Sequence, residues 1–142
     1  MEQNLSNHSR LVTGYHRVLS LLLLAGLIGS ITNMIKSLDN DNIYSASLLL
    51  LLFVIAILIS WYVRAFPLKA QDRAIRAEES LRYYILTGKS LPATLKMGQI
   101  VALRFAPDEE FPALTERAVR DNLTAKEIKS AIKNWKPDYY RV

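Results

Sequence analysis

Residues 43–63 read IYSASLLLLLFVIAILISWYV, 21 consecutive positions without a charge. At 1.5 Å per residue, a helix of that length spans about 30 Å, the thickness of bilayer hydrocarbon. The run closes in Trp61 and Tyr62 and then meets Arg64. Spans leave lipid in this order, aromatic belt first and then positive charge, on the cytoplasmic side. The stretch predicts a transmembrane helix, and the rest of the chain is read outward from it.

Upstream, residues 18–35 read VLSLLLLAGLIGSITNMI, and no charge falls between Arg17 and Lys36. This predicts a second span over about residues 14–36, short but within range. A signal peptide is the competing reading, since Arg10 and Arg17 precede a leucine run. It is disfavoured because no A-x-A-like cleavage site follows and another complete span begins a few residues later. Between the spans lies KSLDNDN, a short Asp/Asn-rich connection suited to a tight surface turn. Arg10 and Arg17 flank one side of the hairpin, and Arg64, Lys69, Arg73 and Arg76 follow its exit. The positive-inside rule then places both termini in the cytoplasm.

Charge is distributed unevenly. The first 63 residues carry only Glu2, Arg10, Arg17, Lys36, Asp39 and Asp41, although the chain of 142 residues is 22% charged. The shift predicts two parts: residues 1–66 with the hairpin, and residues 67–142 as a cytoplasmic helical domain of three to four helices. The fold class is therefore an all-α membrane protein.

Inside lipid, small residues let helices approach. Gly26 with Ser30 and Ala56 with Ser60 offer that spacing, with Gly29 and Asn33 near the first pair. Intramolecular hairpin packing is the simpler reading, and a partner-binding face the sharper one.

In the tail, Pro67 is expected to break or kink the chain. A helix then restarts near Leu68 and runs to about Leu86, with Gly88 as its stop. Ala74, Ile75, Ala77, Leu81, Tyr84 and Ile85 form its apolar stripe. Asp72–Arg76 and Glu78–Arg82 are its i,i+4 ion pairs. LKMGQIVALRFA, residues 95–106, reads as a short helix despite Gly98. Pro107-Asp108-Glu109-Glu110 reads as the start of the next, which carries Phe111, Leu114, Ala118 and Val119 inward and ends near Asn122. The last helix opens with the capping box Thr124/Glu127. Ile128, Ala131, Ile132 and Trp135 form its core face, and Pro137 ends it.

Chemistry is sparse. There is no cysteine, so disulfides, thiolate metal sites and a cysteine nucleophile are excluded. His8 and His16 are the only histidines, with no visible further ligands for a metal. The turn Asp39-Asn40-Asp41-Asn42 lacks the glycine of an EF-hand, and Leu50 stands where its distal glutamate would fall. No phosphate-binding loop, nucleophile elbow or H-E-x-x-H motif occurs. Neither span holds an ionisable residue of the sort that lines transport pathways. No cofactor is expected. Glu78-Glu79 and Asp108-Glu109-Glu110 would need a carboxyl raised in pKa within a pocket to be catalytic.

The feature with functional promise is Lys126, Lys129, Lys133 and Lys136, regularly spaced on the last helix. Such a face suits an anionic lipid surface; the plainer reading is the solvated back of a packed helix. Nucleic acid is disfavoured, because no aromatics interleave with the lysines to stack bases.

Three blocks, RAFPLKAQDRAIRAEE from Arg64, MGQIVALRFAPDEEF from Met97 and KEIKSAIKNWKPDYYRV from Lys126, together resemble a family of small bacterial two-span membrane proteins catalogued as a domain of unknown function, some labelled permeases. The likeness covers the second span and nearly all of the tail. It implies a bacterial cytoplasmic-membrane location and transfers no functional residues. The expectation is a non-enzymatic accessory or scaffold protein, whose tail docks on a protein partner, a further copy or anionic lipid. The alternative is a small subunit of a transport or secretion assembly.

Overall fold

The computed structural model describes residues 12–138. Among them every regular element is helical. A π-helical stretch, Gly14–Leu19, runs into α1, Ser20–Lys36, and α2 follows over Ile43–Thr87. Three short helices complete the chain: α3, Met97–Leu103; α4, Phe111–Arg120; α5, Ala125–Ala131. The chain forms two compact units that divide between Phe66 and Pro67, and α2 contributes to both. The Gly14–Lys36 segment and α2 are each long and apolar enough to cross a membrane.

In the unit that ends at Phe66, α1 and α2 each bury a narrow stripe. On α1 it runs through Leu23, Gly26, Leu27, Ser30, Asn33 and Met34; on α2 through Ala46, Leu50, Phe53, Ala56, Ile57 and Ser60. Gly26 is small for a reason. A Cβ there would lie 2.0 Å from Phe53 Cε1, so the ring occupies the space that any side chain would need. Ser30 and Ala46 are buried, and the Ser30 hydroxyl donates to the Leu27 carbonyl at 2.8 Å. The Tyr15 hydroxyl donates to the Ser60 carbonyl, and the Ser60 hydroxyl donates back to the tyrosine oxygen at 3.4 Å. Gly29 departs from expectation. It is exposed, with open space about its Cα, because 100° per residue turns it off the stripe. In the connection, the Asn42 N–H donates to the Asn40 side-chain oxygen at 3.0 Å, an Asx turn.

Pro67 does not interrupt α2, contrary to the sequence reading. Proline fixes φ near −65°, which is a helical value. Its flanks, Arg64-Ala65 and Leu68-Lys69-Ala70, are helix formers. The loss is one hydrogen bond and a clash with the carbonyl four residues back, about 3 kcal/mol, and the turns on either side offset it. Gly88 does end the helix: its φ is +69° and its N–H donates to the Tyr84 carbonyl at 2.8 Å.

In the unit from Pro67, the end of α2 packs with α3, α4 and α5 around Phe105, Phe111, Ile100, Leu103 and Ile128, all fully buried. The apolar stripe expected on α2 is mostly uncovered. Only Ile75 enters the core, joined by Tyr83, while Ala74, Ala77, Leu81, Tyr84 and Ile85 are exposed. The core takes the helix by its opposite face because Arg82 and Glu79 make their bonds there. Tyr83 stands edge-on to Phe111, with ring centroids 6.0 Å apart.

α3 is held at its start by Gln99, whose side-chain oxygen accepts from the Lys96 N–H at 2.7 Å. The Gln99 amide donates to the Leu123 carbonyl at 2.8 Å and so ties α3 to the α4–α5 connection. α4 begins later than expected, at Phe111, with Pro112 in its first turn; Pro107 to Glu110 form the turn before it. Val119, expected inside, is exposed, and Thr115 is buried instead. The Thr115 hydroxyl is satisfied by the Phe111 carbonyl at 2.7 Å. α4 ends on Asn122 at φ +48°, with the Leu123 N–H reaching back to the Ala118 carbonyl.

The capping box of α5 is present: Glu127 N–H to Thr124 Oγ1 at 3.3 Å, and Thr124 N–H to the Glu127 carboxylate at 2.7 Å. The helix itself is shorter than predicted. It stops at Ala131, and Ile132 is extended. The Glu110 carboxylate takes the Lys133 and Asn134 N–H groups, both at 3.0 Å, and the Asn134 amide at 3.1 Å. The Lys136 N–H then donates to the Phe105 carbonyl at 2.8 Å. Ile128 and Ile132 still reach the core, and Trp135 stacks against Phe105 at 5.1 Å.

Candidate functional site

Arg82 joins several partners of the helical domain at once. Its guanidinium meets Glu79 at 3.0 Å, Asp108 at 2.6 Å and the Ala106 carbonyl at 2.7 Å, and lies 4.3 Å above the Phe111 ring. It thereby fastens α2 to the α3–α4 turn. The planar fork of arginine suits this, since it donates in several fixed directions while its face rests on an aromatic ring. The sequence reading paired Arg82 with Glu78; the structure turns it to Glu79, because Glu79, three residues before it, faces the core and Glu78, four before it, does not.

Glu79 is 8% exposed. Burial pushes its carboxyl above the ordinary range; the Arg82 guanidinium, then Lys136 and Arg104, pull it back only in part. Beside it opens a cleft of about 500 Å³, lined by Gln71, Ala74, Ile75, Glu78, Glu79, Arg104, Lys136, Pro137 and Asp138. Arg104 pairs with Asp138 at 2.9 Å across the rim. The cleft therefore presents both signs of charge over an apolar floor at Ile75. It can exchange ion pairs with a docking side chain. Sequence reasoning named Glu79 only within an acidic pair. Nothing local distinguishes it from Glu78, and the distinction arises from which face of α2 is covered.

The four lysines do not form one helical face. Lys126 and Lys129 lie on α5, whereas Lys133 and Lys136 follow its end. Lys126, Lys133 and Lys136 are exposed. Lys129 is half-buried, its ammonium 5.7 Å from the Phe105 ring centroid, and Lys136 lines the cleft. The four small residues Gly26, Ser30, Ala56 and Ser60 all lie on the stripes buried between α1 and α2.

Among the described residues, no group of three or more His, Asp or Glu is placed to hold a metal ion. His8 lies outside the described residues. His16 stands edge-on to Tyr15, with centroids 5.3 Å apart.

No curated protein and no solved structure matches the chain. The model of a family of unknown function, DUF6526, matches residues 1–142, and the chain belongs to that family.

Proposed function

We propose that this member of a family of unknown function is a non-enzymatic accessory protein of the bacterial inner membrane, anchored by a two-span hairpin with both termini in the cytoplasm. The observation that carries the reading is the inside-out surface of the hairpin. The few small and polar residues, Gly26, Ser30, Asn33, Ala56 and Ser60, sit within the α1–α2 contact beside Leu27, Phe53 and Ile57, while Leu21, Leu52 and Trp61 point outward at 66%, 59% and 71% exposure. Only 6% of the apolar window of either helix is buried. In water this surface would drive aggregation. In lipid it is the expected arrangement, since contact between helices there rests on small and hydrogen-bonding residues.

The helical domain is read as a docking module on a protein partner. Its charged cleft and the exposed Leu81, Tyr84 and Ile85 support that reading. Glu79 is assigned to structure rather than to acid–base chemistry, because its carboxylate is committed to Arg82. Topology is the first test. With no native cysteine to confuse labelling, Asn40→Cys reacts with a membrane-impermeant thiol reagent in intact cells and Ser130→Cys does not. The reverse pattern, or release of the chain by alkaline carbonate, overturns the reading.

A further inference from the structure

Ala70, Ala74, Ala77, Leu81 and Tyr84 recur at alternating spacings of four and three. In a helix that rhythm aligns them as the a and d positions of one seam. All five are exposed, with Leu81 at 60%, Tyr84 at 58% and the adjoining Ile85 at 72%. The domain has already closed its core on the opposite face of α2, through Ile75, Glu79 and Tyr83. The seam is left over, and it is more apolar than the face that was used.

The charges beside it indicate what covers it. With Ala70, Ala77 and Tyr84 at d and Ala74 and Leu81 at a, Arg73 falls at g and Glu78 at e. In a parallel pair of helices, each g residue faces the e residue five positions further along its neighbour. Arg73 of each copy then meets Glu78 of the other, so the symmetry gives two opposite-charge pairs. Ser80 faces Ile85 in the following pair, and no like charges meet. Among the described residues neither Arg73 nor Glu78 makes an ion pair within its own chain. An antiparallel pair would set g against g and e against e and lose both bridges.

We propose that this face of α2 pairs in parallel with the same face of a second copy of the chain. The inference rests on the membrane reading. Copies anchored through the same span with the same topology run in the same direction, and the tether raises their effective concentration. Anchoring matters because two heptads are short for a free coiled coil. Alanines at the Pro67 end let the helices approach closely, and Leu81, Tyr84 and Ile85 fill the wider end.

Single cysteines in the full-length chain, in native membranes, test the seam. Under mild oxidation, Ala77→Cys and Leu81→Cys form disulfide-linked dimers, while Arg76→Cys, exposed but off the seam, does not. Arg73→Glu or Glu78→Arg alone lowers the yield at Ala77→Cys several-fold, and the two together restore it. Equal yields at positions 76 and 77, no homodimer at 77 and 81, cross-links only to a different protein, or failure of the charge exchange to restore yield each overturn the proposal. Carbonate extraction of the same membranes separates the two readings. A chain that is retained but does not cross-link refutes the seam alone. A chain that is extracted yet cross-links at 77 and 81 refutes the anchor and keeps the seam.

Discussion

Glu110 precedes α4 and yet decides where α5 ends. Its carboxylate accepts the Lys133 and Asn134 backbone N–H groups and the Asn134 side-chain amide. Removing it hands these exposed donors to water and loses the tie between the start of α4 and the end of α5. Glu110→Ala is therefore expected to cost about 0.5–1.5 kcal/mol of domain stability, and Glu110→Gln, which keeps one acceptor oxygen, less. Denaturant unfolding of the detergent-solubilised chain measures both. Glu79 gives a second residue-scale expectation. Its carboxyl is raised above the ordinary range by burial, so the folded state takes up a proton before the unfolded state does. Its contribution is most favourable below the unfolded pKa, near 4.5, and is lost as pH rises through the higher folded value. Wild type should therefore gain stability relative to Glu79→Gln as pH falls from neutral toward 4.5. A difference that is flat with pH, or of opposite slope, would refute the assignment. Neither residue was legible as special in sequence. Each gets its role from partners or cover supplied by distant segments, and a carboxylate's own neighbours in the chain carry no trace of that.

At the scale of elements, the two long apolar helices were legible because hydropathy is summed over a continuous window and needs no tertiary contact. The capping box of α5 and the glycine stop of α2 were legible for the same reason: both are local. The face of α2 was not. Periodicity shows that a stripe exists and says nothing about whether this chain or another covers it, and here the more apolar side stayed outside. The contact of α1 with α2 was legible as small residues at helical spacing, but its central fitting, Phe53 against Gly26, was not, because phenylalanine is unremarkable in a leucine-rich run. Gly26→Leu should force the ring aside or the helices apart, at about 1–3 kcal/mol for overpacking. Adding Phe53→Ala should recover part of that loss by freeing the space. Unfolding of the hairpin by detergent titration compares the three variants, and additive effects of the two substitutions would mean that the two sites do not touch.

At the scale of the whole molecule, the uneven placement of charge marks two environments along one chain. Residues 67–142 carry their own core and most of the basic residues. If the lysines also meet lipid, replacing Lys126, Lys129, Lys133 and Lys136 with glutamine weakens co-sedimentation of that segment with anionic vesicles, with the largest effect at low salt. Unchanged binding would leave these lysines as the solvated edge of the domain. The structure already divides them: Lys129 rests on Phe105 and Lys136 edges the cleft, so Lys126 and Lys133 are expected to dominate any lipid effect.

Pro67 sits within an unbroken α2 and has no N–H to offer the Val63 carbonyl. Along the 45 residues of that helix, one rung of the backbone ladder is therefore missing, and the rungs beside it must open at lower cost than those of either flank. In deuterated buffer, the amides of the turns around position 67 should be the first in the interior of α2 to trade their protons. Pro67→Ala should slow that local exchange selectively, without altering protection around Phe53 or Tyr83.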